Sequence, residues 1–345
     1  MTTTTNPSTI RVAVTQAEPI WLDLDATVDK TCILIAEAAS HGAQLISFPE
    51  CWIPGYPAWI WTRLVDPTLH TFYMRNSLSI TSPQFQRITH AAKKHHIIVV
   101  LGFSENFHDS LYISQAIISN EGEILCTRRK IKATHMERTV FGDAFAEHCL
   151  HQSVVNTPVG RVGALSCWEH VQPLLKYYTY AQREAIHVAA WPPLFEWEEK
   201  KKEQEKEKDE EEGLFSMSSE GAAALARTYA IESASFVLHT TAVISQAGIE
   251  KMRTATGAIM NAPGGGSSAV FGPDGRRLST TPEVLLPTEE GILYADLDFD
   301  QIYRAKAFVD VVGHYSRPDL LWLGVGGRGR DQRHVREGEE EQQQQ

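Results

Sequence analysis

Residues 162–191 read VGALSCWEHVQPLLKYYTYAQREAIHVAAW, and their order of residue types points to one fold class. The small apolar run 162–166 reads as a strand, and polar residues follow it at once. Residues 173–185 then carry apolar positions at helical spacing, and 186–191 form a second apolar run of strand length. The same rhythm extends outward in both directions. Upstream come a strand over 10–16, a helix over 26–41 stopped by Gly42, and an apolar run over 43–48 that ends at Pro49-Glu50. A second helix over 82–96 opens with Ser82 as cap and Pro83 in the first turn. A buried strand over 97–103 follows, then a hairpin of 111–118 with 123–127 about Asn120-Glu121-Gly122. Downstream, 220–233 is helical in pattern and 236–244 is a strand. Short strands at 267–271 and 292–297 flank a turn at Pro273-Asp274-Gly275. Strands alternating with helices predict an α/β fold, and the hairpins make its sheets mixed.

The chain has 345 residues, 43% of them hydrophobic, and a formal net charge of −11. With no basic surplus to neutralise phosphates, nucleic-acid binding is not expected. The opening MTTTTNPSTI has neither a basic nor an apolar leader region. No run approaches the ~18 apolar residues of a membrane span, so a cytoplasmic protein with no membrane partner is expected. One domain over 10–323 is predicted, with a flexible start over 1–9 and a disordered charged and glutamine-rich tail over 324–345. Residues 196–212 (EWEEKKKEQEKEKDEEE) read as a solvated charged insertion. Five cysteines, Cys32, Cys51, Cys126, Cys149 and Cys167, have irregular spacing and no CxxC pair. Neither a disulfide framework nor a metal site is expected from them.

Cys167 stands where an apolar strand gives way to a helix, and in open α/β sheets ligands bind beyond such strand ends. A thiol there can face a pocket and gain thiolate character from nearby positive charge. Glu50 ends another buried run, and in a pocket desolvation would raise its pKa and suit it to general-base work. Lys130 closes the triplet Arg128-Arg129-Lys130, which taken alone reads as a solvated surface patch. Together the three strand ends supply a base, a cation and a thiol.

Three longer stretches carry a resemblance. FPECWIPGYP (48–57), RRKIKATHMER (128–138) and LSCWEHVQPL (165–174) resemble, in order, the three signatures of true nitrilases. Similarity to the nitrilase superfamily runs from about 10 to about 323, and takes in Ala189-Ala190-Trp191-Pro192 and the glycine-rich 264–268. The resemblance implies an αββα sandwich with mixed sheets, four-layered on dimerisation. It implies Cys167 as nucleophile, Glu50 as general base, Lys130 as stabiliser of the tetrahedral intermediate, and Glu137 as a second positioning glutamate. Trp168, Tyr56, Trp191 and His170 are the expected substrate contacts, while Cys51 is a bystander by family position. No metal or cofactor is implied. The chemistry is coherent: a nitrile carbon is a poor electrophile, so a potent nucleophile is needed, and nitrogen must be protonated as it gains charge. Attack by Cys167 would give a thioimidate, then a thioester, and finally a carboxylic acid and ammonia. Aromatic residues around the signatures point to aryl or arylaliphatic nitriles, and CWEH rather than CWEN points away from cyanide. Within the superfamily the alternatives are an amidase or a cyanide hydratase; outside enzymes, a catalytically silent assembly scaffold. Homodimers that build larger oligomers or filaments are implied by analogy. One departure is visible: Ala133 stands where nitrilases commonly have proline, whose ring would stiffen the loop.

Overall fold

The computed structural model describes residues 9–63, 65–144, 153–197 and 214–325. The expected charged insertion and tail lie outside these apart from their first two residues each. Of the expected flexible start only Thr9 lies inside, and it is already in a strand, opposite Asp298. The strands are β1 (Thr9–Ala17), β2 (Leu45–Ser47), β3 (Ile98–Phe107), β4 (Ser110–Ile118), β5 (Ile124–Arg129), β6 (Val154–Thr157), β7 (Gly160–Ser166), β8 (Ile186–Ala190), β9 (Phe236–Ala242), β10 (Ala269–Phe271) and β11 (Gly291–Asp298). The helices are α1 (Leu24–Ser40), α2 (Pro67–Asn76), α3 (Pro83–His95), α4 (Pro173–Ala181), α5 (Ser219–Ser233), α6 (Gln246–Met252) and α7 (Asp300–Phe308).

One sheet runs β5-β4-β3-β2-β1-β11 and the other β6-β7-β8-β9-β10. They join where β1 and β9 pair in parallel at Gln16–Thr241 and Ala17–Ala242. Parallel pairs lie at the centre of each sheet, and antiparallel hairpins lie at the edges. Strand period decides the layers: Val12 and Val14 face inward, Ala13 faces outward. The inner faces meet through Val12, Val14, Leu45 and Val100 from one sheet and Val162, Val188, Phe236 and Leu238 from the other. On the outer face of the first sheet, Val28 and Ile35 of α1 and Ile88 and Ala92 of α3 pack on Ile46, Val99 and Leu101. On the outer face of the second, Leu175 of α4 and Ala226 and Tyr229 of α5 pack on Leu165, Ala189 and Val237. The four layers are helix, sheet, sheet, helix, so the αββα sandwich expected from the resemblance is present, and its four layers lie within one chain instead of arising on dimerisation.

Local chemistry explains the helix ends. The Ser82 hydroxyl accepts from the Phe85 N–H at the start of α3, with Pro83 in the first turn. Two boundaries differ most from the sequence reading. α4 stops at Ala181 instead of 185, because Arg183 takes a left-handed φ of 65° and the Ala185 N–H donates to Arg161 O beside the sheet. β3 continues past Phe103 to Phe107, since the polar Ser104 and Glu105 stay paired with β4. The apolar pattern ends there, but the ladder does not.

Gly102 of β3 lies directly under the backbone that leaves β2. A Cβ at this position would fall 2.1 Å from Pro49 O and 3.1 Å from Glu50 Cα. Gly102→Ala is therefore expected to force the 49–50 backbone outward and to destabilise the fold by about 1–3 kcal/mol. Urea unfolding checks this: an unchanged midpoint would show that the crossing tolerates a methyl group.

Candidate active site

Three strands deliver the site. The chain leaves β2 through Phe48, whose N–H donates to Val100 O at 2.9 Å, and arrives at Glu50. β5 ends at Arg129, so Lys130 is the first residue beyond it, with its N–H on Ile113 O at 2.7 Å. β7 ends at Ser166, and Cys167 follows with a left-handed φ of 51°. A non-glycine residue in that region is strained, and it persists only where its surroundings over-determine it.

Their side chains converge. The Lys130 ammonium donates to Glu50 Oε1 at 3.0 Å and to Glu137 Oε2 at 2.8 Å. One ligand atom each of Glu50, Glu137 and Cys167 lies within 4.8 Å of the others. Such a set could attract a cation, and the Lys130 ammonium provides one. All four residues are buried, Lys130 at 2% exposure. Glu137 is held tightly: its Oε2 also accepts from Thr134 N at 2.7 Å and its Oε1 from Tyr56 OH at 3.1 Å. The Glu50 Oε2 atom has no hydrogen-bond partner among the described residues.

Burial pushes the Glu50 carboxyl up to about 8, against the pull of Lys130. Burial likewise drives the Cys167 thiol well up, Glu50 adding to it, while Lys130 and the Trp168 N–H oppose. On Lys130, burial works against the charge, yet Glu137 and Glu50 outweigh it and hold the ammonium well above its usual range. Ionising the thiol beside two carboxylates would set three anions against one cation. A proton leaving sulfur therefore has a natural destination on Glu50, whose neutral and charged forms lie close in energy.

The basic triplet is not a solvated patch. Arg128 makes a buried two-pronged pair with Glu169 at 2.6 and 2.8 Å. Arg129 does the same with Glu105 at 2.7 and 2.8 Å and lies over the Tyr112 ring at 3.9 Å. Each charge of the triplet is carried inward to a carboxylate, because a buried guanidinium without one would cost several kcal/mol. Glu169 also accepts from Ser166 N and Ile131 N, both at 2.9 Å. It thereby ties the strand end before Cys167 to the loop after Lys130. Ala133 uses the N–H that proline would lack, donating to Asp143 Oδ1 at 3.2 Å. This part of the loop is pinned by a hydrogen bond instead of a ring.

Cys167 and Glu137 open onto a cavity of about 540 Å³ lined by Tyr56, Trp61, Trp168, Phe195, Trp197 and Met260 among others. This is an ordinary size for a small-molecule site. Of the four expected substrate contacts, Trp168 and Tyr56 are on its wall, and Tyr56 also bonds Glu137. His170 and Trp191 are not among its lining residues. His170 is fully buried behind Cys167, where Nδ1 meets Cys167 O at 2.7 Å, and its ring stacks on Trp191. The placement of both as cavity contacts is corrected accordingly: the turn after Cys167 directs His170 into the core, and Trp191, the first residue past β8, is buried there against it. Sequence reasoning missed Trp61, Phe195, Trp197 and Met260. They come from irregular segments with no periodicity to read, although the aromatic density of Ala58-Trp59-Ile60-Trp61 was a usable signal.

The carbon-nitrogen hydrolase family profile matches residues 11–307. An arylacetonitrilase of Aspergillus oryzae is 73% identical over 339 residues, covering 98% of this chain and 97% of that one. An arylacetonitrilase of Aspergillus kawachii is 67% identical over 330 residues, covering 96% and 95%. Among solved structures, a carbon-nitrogen hydrolase from Helicobacter pylori superposes with a TM-score of 0.66 at 17% identity, covering 87% of this chain and 93% of that one. An amidase from Nesterenkonia sp. AN1, with an acetamide moiety added covalently at its active-site cysteine, reaches 0.59 at 17% identity over 86% and 92%. The strand-end cluster, the sandwich that carries it and the match over nearly the whole chain lead to one conclusion: the chain belongs to the carbon-nitrogen hydrolase family.

Proposed function

We propose that the protein is a nitrilase acting on arylaliphatic nitriles, with Cys167 as nucleophile. What carries the reading is one arrangement: a thiol, two carboxylates and an ammonium converge at the mouth of an aromatic-walled cavity. The high identity to arylacetonitrilases supports the arylaliphatic substrate class. Glu50 takes the thiol proton through its unpartnered Oε2, and the sulfur attacks the nitrile carbon. Lys130, steered by Glu137, donates to the substrate group that gains negative charge. The nitrogen is protonated to a thioimidate, and water activated by Glu50 adds to its carbon. Ammonia leaves, giving a thioester, and a second water releases the acid. Aromatic walls hold the aryl end by apolar contact. The four described cysteines are all free thiols, which suits the proposed cytoplasmic location. Among the described residues no helix is long and apolar enough to cross a membrane.

We also propose that the chain pairs with itself. Leu174 on α4, Leu321 and Trp322 stand 68%, 82% and 80% exposed, and exposed apolar patches of this kind mark interaction surfaces. Leu174→Glu with Trp322→Glu is expected to shift the sedimentation coefficient to that of a monomer. A wild-type chain that already sediments as a monomer would overturn the pairing.

Phenylacetonitrile is expected to yield phenylacetic acid and ammonia, and Cys167→Ala to lose both, measured by chromatography and ammonia assay. Folded wild type that releases neither from any nitrile would sink the reading. The pH dependence follows from Glu50: its base form exists only above its raised pKa. The acid limb of kcat/KM is therefore expected near pH 8 instead of in the ordinary carboxylate range. A rate already level from pH 5 upward would remove Glu50 from the base role.

A further inference from the structure

On the side of Cys167 away from the cavity, a chain of fully buried polar side chains ends on the nucleophile's own backbone. His170 Nδ1 lies 2.7 Å from Cys167 O, and His170 Nε2 lies 3.0 Å from His187 Nε2. His187 Nδ1 lies 3.0 Å from Glu184 Oε2, and Tyr229 OH donates to Glu184 Oε1. Both histidines and Tyr229 have no exposure, and Glu184 has 2%. The Tyr229 ring stacks on His187 at 3.8 Å, and Trp191 stacks on His170 at 5.3 Å. β7 makes room for the carboxylate: a Cβ on Gly163 would fall 2.1 Å from Glu184 Oε2.

The partners assign the protons. Cys167 O can only accept, so His170 Nδ1 carries hydrogen. Burial, and then His187, hold the His170 imidazole well below its usual range. His170 is therefore neutral and accepts at Nε2, so His187 Nε2 must donate. The contact between His187 Nδ1 and Glu184 then needs one more proton, shared by that pair. The bonds from Tyr229 to Glu184, from His187 to His170 and from His170 onward all run toward Cys167 O. That oxygen and the Trp168 N–H are opposite ends of one peptide group, and the N–H end favours the Cys167 thiolate. Donation to the carbonyl polarises the peptide and strengthens its N–H as a donor. It also holds the carbonyl of a residue whose left-handed φ needs support.

We propose that Glu184, His187 and His170 form a positioning relay that orients and polarises the Cys167–Trp168 peptide and thereby holds the nucleophile in its left-handed turn. The proposal rests on the nitrile-hydrolysis reading and adds three positioning residues to it. None of them touches substrate.

Four variants test it: His187→Phe, Glu184→Ala, Glu184→Gln and Gly163→Ala. Each is assayed for phenylacetonitrile turnover, for the rate of iodoacetamide labelling at Cys167, and for its melting temperature. His187→Phe, Glu184→Ala and Gly163→Ala are expected to lower kcat on the order of 100-fold with KM within about twofold, as for a small misplacement of a reacting group. Labelling should slow in parallel. Glutamine at 184 can donate to His187 Nδ1 and accept from Tyr229, keeping a hydrogen bond to each, so Glu184→Gln should restore most of what Glu184→Ala loses. Full kcat in folded His187→Phe, or Glu184→Gln as impaired as Glu184→Ala, would overturn the relay. If His187→Phe fails to fold, the comparison of Gln with Ala at 184 decides. A wild type that turns over no nitrile would strike the functional reading alone, because labelling of Cys167 still reports on the relay.

Discussion

The Lys130 ammonium sits between the carboxylates of Glu50 and Glu137 at 3.0 and 2.8 Å, with almost no access to water. Deleting one partner of such a buried pair typically costs about 3–5 kcal/mol, because the other charge is stranded. The interaction therefore binds the end of β2, the end of β5 and the turn at residues 134–137 into one arrangement. The same requirement propagates outward. Arg128 must find Glu169, Arg129 must find Glu105, and Glu169 then pins the backbone on both sides of the cleft. A cluster of charge in a sandwich core is stable only where each charge meets an opposite one, and that pairing gives the proposed chemistry a rigid frame.

The sandwich supplies the other constraint. Its two sheets are joined by parallel pairing of β1 with β9, and beside that joint lie buried hydroxyls. Ser47 and Thr240 meet at 2.7 Å, Thr15 donates to Ser47 O at 2.9 Å, and Ser268 donates to Thr15 O at 3.0 Å. These short side chains satisfy polar groups where apolar ones would leave the joint unbonded. With the sheets locked there, the strand ends that carry Glu50, Lys130 and Cys167 face one another across a fixed gap.

Much of this was legible in the chain itself. Elements with clear period, such as α1, α3, β8 and β9, fell close to their expected ranges, because periodicity reports which face of an element is buried. The signatures around Glu50, Lys130 and Cys167 were legible through their resemblance to those of nitrilases. α2, with its Asp66 cap and a mean of mixed polarity, was not, nor were the loop residues Phe195, Trp197 and Met260 that wall the cavity. The Arg128-Arg129-Lys130 triplet read as surface because its carboxylate partners are far away in sequence. His170 read as a substrate contact because the sequence does not say which way a turn points its side chains.

The amino-acid order by itself determined most of the strands and helices, the mixed character of the sheets and the placing of a thiol, a base and a cation at strand ends. Those follow from local pattern and side-chain chemistry. Only the tertiary structure decided which acid meets which cation, that the basic triplet is buried, and that His170 meets His187, and His187 meets Glu184, behind Cys167. Lys130 and Glu50 are 80 positions apart, and no local pattern encodes such a contact. It arises when the packing of two sheets brings distant strand ends together and the cost of an unpaired buried charge selects the partner.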